Sequence, residues 1–253
     1  MPYDDALHSA GMHGATLDVS VVMPVFNGAQ FIAEAIESIL GQTLLPGELI
    51  VVDDGSVDES AALVQEITTT ATLPIRYTYQ SNQGAGAARN CGIGMAAGSL
   101  IAFLDQDDVW SPDKLAHQTA LLHQNPEAGY ATACVEFFLE PGITPPAWVR
   151  PERLQGPQPS FLPSCLVVRK ATFARIGCFD PALRISNDTD WIARAKEAGV
   201  IPVVAQAALV RHRIHAGNHS RFVGDVHQDL HSMVRKALLR KRAMSPAGPD
   251  ADQ

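Results

Sequence analysis

Three runs of the chain, DVSVVMPVF (18–26), ELIVVDD (48–54) and SLIAFL (99–104), are almost unbroken in apolar and largely β-branched residues. A strand written this way cannot leave a face to water, so helices must cover the sheet on both sides. The stretches between the runs supply them. Phe31, Ile32, Ala35, Ile36, Ile39 and Leu40 recur at helical spacing, and Ser56 with Glu59 has the spacing of a capping box at a second helix start. A strand near 75–80 (IRYTYQ) and a Gly/Ala-rich helix over about 85–97 follow, and Ser111-Pro112 marks another helix start, Ser as cap and Pro at the first helical position. The alternation predicts an α/β fold, a Rossmann-like and mostly parallel sheet flanked by helices, with the ligand beyond the carboxyl ends of the strands. Asp53, Asp54 and the cluster Asp105, Asp107 and Asp108 fall at such ends.

The second half is less regular. Prolines crowd residues 140–163, which reads as a long surface loop, either an acceptor-side flap or an insertion. A helix is expected over 187–199, strand-like pieces over 200–211 and a last helix over roughly 221–241. With 253 residues, of which 46% are hydrophobic, one large domain over 18–221 is expected, between a flexible segment (1–17) and a C-terminal helix with a disordered tail (222–253).

A net charge of −8 argues against nucleic acid as a partner, because phosphate backbones are held by basic faces. The four cysteines have neither CxxC spacing nor a dense framework, so free thiols are expected. Nothing near the start resembles a signal peptide, and no run reaches the roughly 18 apolar residues of a membrane span. A cytoplasmic location is the resulting expectation. The last helix carries Arg235, Lys236, Arg240, Lys241 and Arg242 beside Val234, Leu238 and Leu239, which suits a solvated helix end or a peripheral contact with an anionic membrane.

The acids of LDQDDVW pose the chemical question. Three carboxylates in four positions repel one another, and no basic residue is near them in sequence. A divalent cation, Mn²⁺ or Mg²⁺, satisfies them while also taking substrate phosphates; a solvated acidic turn is the plainer alternative. The wider pattern bears on the choice. VVMPVFNGAQFIAEAIESIL, LIVVDDGSVDES, NQGAGAARNCGI and IAFLDQDDVW, followed by RIGCFDPAL, NDTDWIARA and RHRIHAGNHS, form an ordered series over about residues 18–221 that closely resembles the family 2 glycosyltransferases.

That resemblance implies a GT-A fold and an inverting transfer from a nucleoside diphosphate sugar, uridine diphosphate being the commonest carrier among similar enzymes. It implies that Pro24, Phe26 and Asn27 line the nucleotide pocket, that Asp54 or Asp53 contacts the base, that Arg89 lies against the nucleotide, and that Asp105 faces the ribose. Asp107, second acid of the D-x-D, matches the metal ligand, with Asp108 supporting the site or capping the next helix. Arg213 and His215 match a late basic motif near the diphosphate. In NDTDW, Asp188 matches the general base, with Asp190 as runner-up; Asn187 stands where similar enzymes carry Glu. The acceptor is a glycan, a lipid-linked glycan, a peptide or a small natural product.

The departure at Asn187 supports one rival, an inactive nucleotide-sugar-binding module that recruits partners. Other rivals are weaker. GIGMAA (92–97) fits a dinucleotide fingerprint but lies within the helix that precedes a strand, rather than in a turn after one. His212, His215 and His219 lack consistent zinc-ligand spacing.

Overall fold

The computed structural model describes residues 17–147, 149–218 and 223–244. The segments expected to be flexible at the start and disordered at the end lie outside these, apart from Leu17. The elements run β1 (Leu17–Val25), α1 (Ile32–Leu40), β2 (Pro46–Asp53), α2 (Ser60–Thr70), β3 (Ile75–Tyr79), α3 (Ala85–Met95), β4 (Leu100–Phe103), β5 (Val109–Trp110) and α4 (Lys114–Gln124). They continue with β6 (Ala128–Leu139), β7 (Gln158–Ser160), β8 (Val167–Arg169), α5 (Lys170–Ile176), α6 (Asn187–Glu197), β9 (Ile201–Ile214) and α7 (Val223–Met244).

One nine-stranded sheet has the order β3-β2-β1-β4-β8-β6-β9-β5, with β7 paired to β6. The expected parallel arrangement holds for β3, β2, β1 and β4. Beyond β4 the sheet is mixed: β8 is antiparallel to β4 and β6, β9 is parallel to β6, and β5 is antiparallel to β9. The apolar runs behave as their composition requires. Successive residues of β1 feed opposite layers, Val21 and Met23 packing with Ile32, Ile36 and Val64 on one face, Val22 with Ala88, Ile93 and Phe103 on the other. Gly92 makes the second contact close. A Cβ there would come within 2.3 Å of Val22, so this first glycine of GIGMAA serves helix–sheet packing rather than phosphate binding.

Two helix starts differ from expectation. Ser56 does not cap α2; its hydroxyl accepts from the Asn27 N–H and its own N–H goes to Asp53. The chain turns at Gly55, φ 89°, and Asp58 takes the Ser60 N–H two residues later. Nor does α4 begin at Pro112. Ser111 and Pro112 form a turn whose partner is Gln42 at the end of α1, which accepts from Leu115 N–H at 3.0 Å and donates to Ser111 C=O at 2.7 Å. Local spacing cannot reveal a cap supplied from about 70 residues away.

The Pro-rich segment is also more ordered than a plain loop. It contains a 3-10 turn (Pro151–Leu154) and β7, which extends the sheet beyond β6. The pieces expected over 200–211 are a single 14-residue strand, β9. On α7, Lys236 pairs with Asp180 and Arg240 with Glu197, while Leu230, Val234, Leu238 and Leu239 remain about half exposed. Among the described residues no helix is long and apolar enough to cross a membrane.

Candidate active site

The carboxyl ends of β1, β2 and β4 lie side by side, the place where an open α/β sheet offers a ligand groove. On its first wall, four successive backbone N–H groups after β1 are each taken by a side chain from the stretches that follow β2 and β4: Phe26 by Gln106, Asn27 by Ser56, Gly28 by Ser60 and Ala29 by Asp58. Asn27 adopts φ 50°, a left-handed conformation that Asn tolerates, and its side-chain oxygen accepts from Val57 N–H. Gln106 completes a two-bond clamp by donating to the Phe26 carbonyl. Phe26 and Asn27 are exposed at the mouth, whereas Pro24 is buried within β1.

Asp53 and Asp54 are almost fully buried. Asp53 accepts from Ser56 N–H at 2.7 Å and Tyr77 O–H at 2.6 Å. Asp54 accepts from Gln80 and from the N–H groups of Gln83 and Gly84, all within 2.8 Å. These bonds satisfy the backbone donors left over where the chain turns into α3, whose preceding Gly84 has φ 91°.

The three acids after β4 are each met by a basic side chain from elsewhere in the chain. Asp105 pairs with Arg89 of α3 at 2.6 Å, Asp107 faces His215 at 2.9 Å, and Asp108 faces His212 at 2.8 Å. Their lack of basic partners is therefore true along the sequence and false in space. Burial alone would depress the His212 imidazole, but Asp108, with Asp107 and Asp105 beyond it, lifts it to about 9. Buried Asp108 also accepts from Ser164 O–H at 2.6 Å and from Arg213 N–H, so it braces the site and does not cap α4.

Arg213 is spent behind the groove. Its guanidinium pairs with Glu34 and Glu140, donates to the Asp107 carbonyl at 3.1 Å, and lies over the rings of Phe31 and Phe138. His215, by contrast, turns its Nε2 to Asp107. Among the described residues no group of three or more His, Cys, Asp or Glu converges as a metal site; His219 lies outside them.

On the far wall, Arg89 also donates to Asn187 at 3.0 Å, tying Asp105 to the first residue of α6. Asp188 follows, half-buried, accepting from Thr189 N–H at 2.7 Å and lining a cavity of about 320 Å³. Burial raises its pKa above the ordinary carboxylate value against the pull of Arg89. Asp190 points elsewhere: it is buried and bound to Arg194 at 2.7 Å. Trp191, one turn beyond Asp188 and fully buried, fixes the rotation of α6. It packs against Phe173, Phe179 and Tyr130 and donates to the Gly177 carbonyl.

A strand-end groove with a D-x-D turn, an arginine bridge and a half-buried aspartate is a specific arrangement, and residues 20–177 match the family pattern described as Glycosyl transferase family 2. The chain belongs to that family. Among its relatives is the succinoglycan biosynthesis protein ExoO of Rhizobium meliloti, 32% identical over 246 residues, spanning 90% of this chain and 69% of ExoO. An uncharacterised glycosyltransferase of Rickettsia prowazekii is 29% identical over 91% of this chain and 75% of its own. In solved structures, the mannosyltransferase PcManGT of Pyrobaculum calidifontis, in complex with GDP-Man and Mn²⁺, superposes with a TM-score of 0.70 at 18% identity, covering 93% of this chain and 67% of the other. TarS of S. aureus, in complex with UDP-GlcNAc, gives 0.64 at 20% identity, over 81% of this chain and 60% of TarS. The fold of this family 2 glycosyltransferase is thus the expected GT-A fold, and the chain is shorter than each of these relatives.

Of the residues singled out in the sequence, the fold leaves Phe26 and Asn27 exposed and Asp105, Asp107, Asp188 and His215 partly exposed. It buries Pro24, Asp53, Asp54, Arg89 and Arg213. Sequence reasoning missed Gln106, Ser164, Glu34 and Glu140, and placed His212 only in the weak zinc alternative. Gln106 alone carried a signal, as the polar residue inside the D-x-D.

Proposed function

We propose that this family 2 glycosyltransferase transfers a sugar, with inversion, from a nucleoside diphosphate sugar to an acceptor hydroxyl, with Asp188 as general base. The observation that carries the proposal is the Arg89 bridge. Bonds of 2.6 and 3.0 Å join Asp105, on the donor side, to Asn187, the neighbour of Asp188 at the cavity. Asp188 rather than Asp190 is assigned because Asp190 is held by Arg194. Half-burial suits Asp188 to proton abstraction, since a carboxylate with a raised pKa is a stronger base and a helix N-terminus steadies its charge.

In the reaction the acceptor oxygen forms a bond to the anomeric carbon as its proton passes to Asp188. The bond from that carbon to the diphosphate oxygen breaks, and the electron pair leaves with the diphosphate. No covalent glycosyl-enzyme is needed, so one carboxylate base is enough.

Phe26 and Asn27 are placed to meet the nucleotide at the groove mouth. The loop after β1 has its first four N–H groups occupied, so the diphosphate is received at Asp107 and His215. These two would hold a divalent cation: one carboxylate and one imidazole form a donor set that fits Mn²⁺ better than the all-oxygen preference of Mg²⁺. When bound, the ion supplies charge stabilisation for the departing diphosphate. Asn187 does not count against turnover, since its side chain is engaged in the bridge and Asp188 is present. Uridine diphosphate is the proposed carrier.

A thermal-shift screen of UDP, GDP and their sugars with Mn²⁺, Mg²⁺ or EDTA tests this reading, since a ligand that binds only the native state raises its stability by mass action. A metal-dependent shift with one nucleotide is expected, greatest with UDP. Absence of any shift counts against the donor assignment.

A further inference from the structure

The cavity at Asp188 is lined in part by the Pro-rich segment, and its chemistry is uneven. Phe137, Arg153, Gln158 and Phe161 line it together with Asp188 and Thr189. Its volume, about 320 Å³, lies at the lower end of the roughly 300–1,000 Å³ typical of ligand pockets. That suits the terminal one or two rings of a saccharide. Phe161 remains 44% exposed at the rim, an apolar ring face of the kind on which the C–H face of a sugar packs.

Arg153 is the cation of the lining. The Arg153 guanidinium has no ion-pair partner among the described residues, although the chain carries a net charge of −8; it lies over the Phe137 ring, 5.3 Å from its centroid. Nor is it on a loose tip. It belongs to the 3-10 turn, its N–H bonds to the Arg150 carbonyl, and Gln158 of β7 donates to its carbonyl. A planar cation pre-set on an aromatic face leaves its edge N–H groups for a carboxylate or phosphate.

Resting on the transferase reading, we infer that the acceptor is an anionic saccharide. Its carboxylate or phosphate substituent is met by Arg153, its ring by Phe161 and Phe137, and its reactive hydroxyl is turned to Asp188. Arg153 is thereby a specificity-determining residue of the acceptor site.

Saturation-transfer NMR titrations of the full chain would use three probes: methyl glucuronide, glucose 6-phosphate and methyl glucoside. The charged probes are expected to bind about threefold to tenfold more tightly than the neutral one, a preference lost in Arg153→Gln and partly kept in Arg153→Lys. The tighter of the two charged probes names the substituent. Equal affinity for all three probes, no binding of any, or a preference that survives in Arg153→Gln overturns the inference. UDP and GDP with Mn²⁺ are titrated into the same samples. Unchanged nucleotide binding in Arg153→Gln shows that the variant is folded, whereas no nucleotide binding in any sample defeats the transferase reading irrespective of the saccharide result.

Discussion

The two walls proposed above for donor and acceptor are built by opposite means. After β1 every one of four consecutive N–H groups has a side-chain partner, and Asp53 and Asp54 accept two and three bonds. Across the groove, the hydrogen bonds to the Asp188 carboxylate among the described residues come from its neighbour Thr189, Phe161 is 44% exposed, and Arg153 has no ion-pair partner among the described residues. A saturated wall is a fixed template. An unsaturated one holds groups whose partners arrive with the ligand, and such groups are where function departs from stability.

The contrast is open to attack, beginning at Asp188. Asp188→Asn should lower kcat by about 10²–10⁴-fold, the usual contribution of a positioned base, while nucleotide-induced thermal stabilisation persists. Turnover at the wild-type rate would place the base elsewhere. Trp191→Ala, which leaves both walls chemically intact, should reduce the unfolding free energy in urea by about 3–5 kcal/mol. A loss below about 1 kcal/mol would mean that α6 is not anchored by its aromatic contacts.

Asp54→Ala strips three donors of their acceptor and should lower stability by about 1–3 kcal/mol, whereas Arg153→Gln should stay within about 0.5 kcal/mol of wild type. Similar losses in the two variants would erase the distinction between the walls. The smallest effect is one of pH. Because the folded-state pKa of Asp188 is raised, the native protein holds that proton more tightly than the unfolded chain, so stability falls as pH rises from the ordinary carboxylate pKa through the raised one. Asp188→Asn should then melt slightly above wild type at neutral pH, with the gap closing on acidification. A variant that melts lower at every pH contradicts the desolvation of Asp188.

The legible parts of this molecule are those written locally. Val21, Val22 and Met23 announce a strand covered on both faces, and the spacing of Ile32, Ile36 and Ile39 announces its covering helix. The acids at the strand ends are visible for the same reason. What escapes a linear reading is supplied at long range: His212 and His215 reach Asp108 and Asp107 across more than 100 positions, and Gln42 caps a helix about 70 residues away. The parallel order also gives way beyond β4, because β6 lies between β8 and β9, an arrangement that no periodicity records. Asp188 stands out in the sequence only through the resemblance of NDTDW. Its distinction from Asp190 becomes physical once Arg194 claims the second acid.

The two halves of the sheet meet where β4 runs antiparallel to β8, along three paired positions from Leu100–Arg169 to Ala102–Val167. Phe103 crosses that seam to stack edge-on against Phe173 and Phe179. For protein engineering this marks a graft boundary: the acceptor half of a relative could be joined after β4, provided that the two phenylalanines which receive Phe103 travel with it. On the proposed reading, one sugar donor could then be offered to a different acceptor without rebuilding the residues proposed to bind it.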